Sequence, residues 1–125
     1  MKTILLILML IPITQSVTDF NAIAKALSAG NAATLAEYFD DNVELIVLDE
    51  EGIYSKAQAE QVLKTFFVDY PPKSFKLVHR GTNNDKLHYC IGNMKIGDTM
   101  YRVSFYMKQT DSERLLIQEL GIEEE

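Results

Sequence analysis

His79, His88, Tyr89, Cys90, Tyr101, Arg102, Tyr106, Gln118 and Glu119 are the chemically capable side chains that fall inside apolar, strand-like runs. Imidazole titrates near neutrality, so a histidine is the first candidate for a general base. His79 alternates with Phe75 and Leu77 and is expected on their face of one strand, which makes it the best placed base. Its plainer role is a strand-end histidine bonded to backbone or to a neighbour. Arg102 and Gln118 interrupt apolar strands; an arginine grips a carboxylate through two parallel hydrogen bonds, and a glutamine orients a carbonyl. The competing assignment pairs Arg102 with Glu119 across the outer face of a sheet. His88 and Cys90 are two apart and share a face, the only pair that could co-ligate, so no metal centre is expected. The single cysteine cannot close an internal disulfide and, between Tyr89 and Ile91, reads as a small buried hydrophobe. There is no Gly-rich phosphate loop, GxSxG elbow or CxxC pair, and no cofactor is implied.

The element that must organise these strands is Ser55 to Pro72. Ser55 and Gln58 form a capping-box pattern. Ala59, Val62, Leu63, Phe66, Phe67 and Tyr70 then fall on one stripe of a 3.6-residue helix, and Pro71-Pro72 stops it. Before it, Phe20, Ile23, Ala24 and Leu27 predict a helix capped by Thr18 or Asp19 and closed by Gly30. Asn31 caps a second short helix carrying Leu35, Ala36, Tyr38 and Phe39. Asp40-Asp41-Asn42 breaks that pattern, Val43 to Leu48 is strand-like, and Asp49 to Gly52 reads as a hairpin loop returning through Ile53-Tyr54. After Pro72 the period becomes two: Ser74–Arg80, Leu87–Ile96 with a bulge or bend at Gly92, Met100–Lys108 and Arg114–Leu120. Strands joined by short turns pair antiparallel, so the helices should cover one face of an antiparallel sheet.

Met1-Lys2 followed by Ile4 to Ile13 is a short basic and then apolar leader, too short to span a bilayer. Thr14 and Ser16 offer small residues for cleavage before Val17. The expected organisation is a signal peptide over 1–16 and a single domain over 17–125, extracytoplasmic after cleavage. The whole chain has 12 basic and 18 acidic residues; loss of Lys2 leaves 11 and 18, a net charge near −7. Such a surface repels phosphate, which argues against nucleic acid and anionic membranes as partners. Glu123 to Glu125 reads as a solvated tail.

GNAATLAEYFDDNVEL (Gly30 to Leu45), YSKAQAEQVLKTFF (Tyr54 to Phe67), PPKSF (Pro71 to Phe75), YRV (Tyr101 to Val103) and IQEL (Ile117 to Leu120) resemble the DUF4783 family, secreted bacterial proteins of unknown function in the NTF2-like superfamily. The resemblance spans about residues 18 to 124. It implies an α+β cone, helices packed on a curved antiparallel sheet of about six strands, with frequent homodimerisation through the sheet and a pocket on its concave face. It implies no reaction. Enzymes of the superfamily that move protons set an acid or histidine base against a tyrosine or protonated acid, and here His79 would be the base with Tyr89 or Tyr101 as oxyanion donor. The expectation drawn from all of this is a non-catalytic module binding a protein or a small apolar or carboxylate-bearing ligand, with His79, Tyr101, Arg102 and Gln118 as its contacts. The proton-transfer enzyme is the alternative.

Overall fold

The computed structural model describes residues 20–83, 87–110 and 114–125; the expected leader, the Thr18 and Asp19 caps and parts of two turns lie outside them. The elements are α1 (Phe20–Ala29), α2 (Ala32–Ala36), β1 (Phe39–Val47), β2 (Glu50–Ser55), α3 (Lys56–Asp69), β3 (Pro72–Thr82), β4 (Leu87–Ile96), β5 (Thr99–Gln109) and β6 (Leu115–Glu124). They form a six-stranded sheet in the order β2-β1-β6-β5-β4-β3, with the helices on one face. The predicted antiparallel pairing holds for every consecutive hairpin, while the β1·β6 ladder that joins the two halves is parallel.

Local chemistry sets the helices. Ser55 Oγ accepts from the Gln58 N–H at 3.2 Å and Gln58 Oε1 accepts from the Ser55 N–H at 3.2 Å, so two orphan donors of the first turn of α3 are satisfied reciprocally. Asn31 Oδ1 accepts from the Thr34 N–H and starts α2, and Gly30, at φ +65°, closes α1. α2 stops earlier than its apolar pattern suggests. Tyr38 lies in a turn, its carbonyl accepts from the Ile117 N–H at 2.7 Å, and Phe39 already belongs to β1. A ladder to β6 displaces the last helical turn.

Ala59, Leu63, Phe66 and Phe67 of α3 and Ile23, Ala26 and Leu27 of α1 are buried against the concave face. That face is built by Val43, Leu45, Met94, Val103, Phe105, Met107, Ile117, Leu120 and Ile122, each no more than 1% exposed. At about 1.5–3 kcal/mol per large apolar side chain removed from water, this interior dominates over helix propensity.

Four departures from the expected strands have physical reasons. The hairpin turn is the two residues Leu48-Asp49 rather than 49–52, because Val47 faces Glu50 directly. Asp40 to Asn42 do not interrupt the chain but form an irregular stretch inside β1: between the pairs Phe39–Ile117 and Glu44–Glu119, β1 has four residues where β6 has only Gln118. The bulge expected at Gly92 lies on the neighbouring strand, at Val78, since Leu77 faces Gly92 and His79 faces Ile91. Finally, Glu123 and Glu124 are no free tail: they pair with Arg102 and Tyr101 in the β5·β6 ladder, and the Glu125 N–H donates to the Met100 carbonyl at 3.1 Å.

Candidate functional site

The bulge at Val78 decides where the candidate base goes. An extra residue inverts the alternation, so Phe75 and Leu77 face the core opposite Met94 and Gly92, while His79 stands opposite Ile91 on the outer face. The expectation that His79 shares the face of Phe75 and Leu77 is therefore corrected. His79 Nε2 lies 3.0 Å from the Tyr89 hydroxyl, with ring centroids 5.4 Å apart, in an exposed setting. Arg80, turned inward by the same bulge, places its guanidinium 3.6 Å from the centroid of the Phe20 ring and fixes α1 to β3.

Tyr101 is 7% exposed on the core face, opposite Met94. Burial first, then the charges of Glu124 and Tyr70, push its phenol above the usual tyrosine range. It is separated from His79 and Tyr89 by the thickness of the sheet, so the three catalytic candidates do not converge. Arg102 is on the outer face, its side chain 61% exposed; its Nε is 4.0 Å from Glu125 Oε1, so the acid beside it is Glu125 rather than Glu119. Gln118 donates to Asp40 Oδ2 at 3.1 Å, while Asp40 Oδ1 accepts from the Asp41 N–H, and together they fix the irregular stretch of β1. The four residues expected to hold a ligand thus occupy four separate places. His88 faces Met107 and Cys90 faces Phe105, both inward; burial pushes the Cys90 thiol up to about 11 against the opposing charge of Arg80. Among the described residues no group of three or more His, Cys, Asp and Glu is arranged to hold a metal ion.

The outer face carries an acidic group that periodicity alone does not reveal. Glu44 lies beside Glu119 and next to Glu51, and a carboxyl–carboxyl hydrogen bond with Glu51, followed by the charge of Glu119, raises its pKa above the ordinary value. Glu44, Glu51, Glu119 and Glu123 occupy the β2-β1-β6 half of this face, and Arg102, Lys95, Lys76 and Lys108 the β5-β4-β3 half. Ile46 lies within the acidic half, Ile91 within the basic half, and Tyr106, 38% exposed, beside the boundary on β5.

A concavity of about 610 Å³ lies elsewhere, between the second half of α3 and the β1–β2 hairpin. Its wall is Val47, Val62, Phe66 and Tyr70, and its mouth carries Asp49, Glu50 and Asp69. Phe66 and Tyr70 stack with ring centroids 4.9 Å apart and an interplanar angle of 21°. Glu50, Gly52 and Tyr54 face inward on β2; the Tyr54 ring covers Gly52, so close that a Cβ there would fall 2.9 Å from it. Leu48 holds the turn at φ 56°, a left-handed conformation that costs a branched residue about 1–2 kcal/mol. Its N–H is tied to the Ile122 carbonyl at 2.9 Å. A second groove of about 440 Å³ along Tyr54, Ala57 and Gln58 shares Gln61 and Val62 with the first. None of these lining residues is a histidine, cysteine, lysine or arginine. The arrangement can hold an apolar body and present carboxylates to its polar end; no histidine lines it.

Helices packed on a curved, open six-stranded sheet, with a hollow between the long helix and a hairpin, define an NTF2-like α+β protein, and structural neighbours of that class share the arrangement. A ketosteroid isomerase-like protein from Erwinia carotovora atroseptica is 8% identical, covering 83% of this chain and 88% of its own, with a TM-score of 0.69. The chain belongs to the DUF4783 family, a domain of unknown function, whose pattern matches residues 20–123. DUF4783 proteins of known structure are similar throughout. One from Bacteroides uniformis is 23% identical with a TM-score of 0.79, covering 86% of this chain and 98% of its own. One from Bacteroides ovatus is 22% identical with a TM-score of 0.77, covering 83% and 93%. No curated protein matches the sequence.

Proposed function

We propose that the chain is an extracytoplasmic, non-catalytic binding protein that takes a small ligand with an apolar body in the hollow between α3 and the hairpin, and that it works as a homodimer joined through the outer sheet face. The observation that carries the binding role is the separation of the hollow from His79, the named base, and from its proposed partners Tyr89 and Tyr101. His79 and Tyr89 are on the outer face, Tyr101 is packed in the core, and the hollow itself offers an apolar wall with solvated acids at its mouth. Proton transfer needs a base within hydrogen-bond reach of bound substrate, which this geometry disfavours. The dimer is supported by the two-signed outer face: a two-fold axis running along the strands between β6 and β5 lays the acidic half of one copy on the basic half of the other. The leader before Val17 supports export.

Native and denaturing mass spectrometry of the mature chain, purified gently from the extracytoplasmic fraction, tests all of this together. The expected spectrum is a dimer that releases a small molecule on denaturation, with the adduct retained in His79→Ala. Repeated preparations of bare monomer, or a turnover abolished by His79→Ala, would sink the proposal.

A further inference from the structure

We infer that the hollow between α3 and the hairpin is a site for a cationic amphiphile, with an ammonium or similar group at the Asp49–Glu50–Asp69 mouth and an apolar chain or ring system along Phe66, Val62 and Tyr54. This rests on the binding role proposed above and adds the chemical class of the ligand.

Charge comes first. The hollow's lining contributes three carboxylates and no cationic side chain, so its mouth is the wrong place for a carboxylate ligand. Asp49 is delivered by the β1–β2 turn, Glu50 by the first residue of β2 and Asp69 by the last residue of α3. Asp69 stands where a helix ordinarily prefers a cation: the terminal carbonyls carry about half a negative charge, and the last turn of α3 has no basic residue. Dipole and side chains therefore add at the mouth instead of cancelling, at some expense to the helix. Aromatic character comes second. The stacked Phe66–Tyr70 pair borders the same space, and the face of an aromatic ring attracts a cation through its quadrupole. Shape comes third. The groove of about 440 Å³ continues past Gln61 and Val62 to Ala57 and Tyr54, an apolar extension with no charged side chain along it. A compact cation such as a metal ion would leave that extension empty; a molecule with a positive head and an elongated apolar body fills both parts.

The test is a titration of the mature protein with three probes of matched tail and different head: octyltrimethylammonium, octanoate and 1-octanol, each below its micellar concentration, followed by NMR shifts of the α3 amides. The ammonium probe is expected to bind at least about tenfold more tightly than octanoate, as one to two head-group charge contacts would give. Raising the salt should weaken it. Asp49→Asn with Asp69→Asn should reduce ammonium affinity about tenfold and leave octanol binding unchanged, while the Asp69→Asn melting temperature stays level or rises because a charge opposed to the helix dipole is removed. Equal or stronger binding of octanoate overturns the cationic assignment and leaves the hollow as a general apolar site. If none of the three probes shifts α3, the binding role falls together with the assignment.

Discussion

Gly92 sits at the point where the concave face is most tightly closed, and Gly92→Ala measures how tightly. A Cβ built there would lie 2.4 Å from Phe75 Cζ and 2.6 Å from the Lys76 carbonyl oxygen, against 3.4–4 Å for ordinary contact. Phe75 would have to retreat by about 1 Å, and because the Lys76 oxygen is backbone, turning the ring away does not remove the whole conflict. Overpacking of this kind costs about 1–3 kcal/mol, offset in part by about 0.4–1 kcal/mol from the lower entropy of an unfolded chain with alanine in place of glycine. A net loss of about 1–2 kcal/mol is expected, which for a domain of about 100 residues lowers the melting temperature by about 4–16 °C. Urea titration should show a lower midpoint with an unchanged slope. Phe75→Ala should relieve the part due to the ring, so Gly92→Ala with Phe75→Ala together should lose less than the sum of the two by at least about 0.5 kcal/mol. A Gly92→Ala protein that melts within about 2 °C of the parent, or strict additivity in the cycle, would falsify the claim that the Phe75 ring lies across Gly92.

Two further expectations concern titration. Glu44 holds its proton above the ordinary carboxyl value of 4.5 through the hydrogen bond with Glu51 and the charge of Glu119, so its contribution to stability is present at low pH and is lost as pH rises through its folded pKa. The melting-temperature difference between the parent and Glu44→Gln should therefore shrink or reverse between about pH 4 and pH 7; a constant difference would show that the carboxyl group is not shared. Cys90, fully buried and raised from 9.0 to about 11, should be inert to iodoacetamide in the folded protein near pH 8 and react at the rate of global unfolding. Its stabilising contribution is full below pH 9.0 and is lost as pH rises from there through about 11, and rapid labelling of folded protein would contradict that burial.

α3 was legible because its signals are local: the Ser55–Gln58 reciprocal cap, one stripe ending at Tyr70, and two prolines all act within the helix itself. The strands after it were legible for the same reason, since alternation is a property of each segment. What escaped depends on a partner strand. Whether Val78 is an ordinary strand residue or an extra one is decided by the register against β4, and that single residue moved His79 to the outer face and Arg80 to the inner one. Gln118 looked like a ligand contact because an amide in an apolar strand is unusual; its partner, Asp40, is far away in sequence and reaches it through the β1·β6 register. The Glu123–Glu125 run looked solvated because charge is easier to read than pairing with β5. The hollow left one trace that could have been found: Asp69 at a helix end that prefers a cation.

The open sheet leaves β2 and β3 as its two margins, and both are poor templates for another strand. β3 begins with Pro72, which has no N–H to offer, carries Lys73 and Lys76, and is distorted at Val78. β2 is six residues long and carries Glu50 and Glu51. Proline, irregular spacing, brevity and clustered charge are the means by which natural sheets resist edge-to-edge growth. The consequence is that neither margin offers a good template for edge-to-edge growth, which leaves the broad outer face, proposed above as the dimer surface, better suited to a meeting of copies.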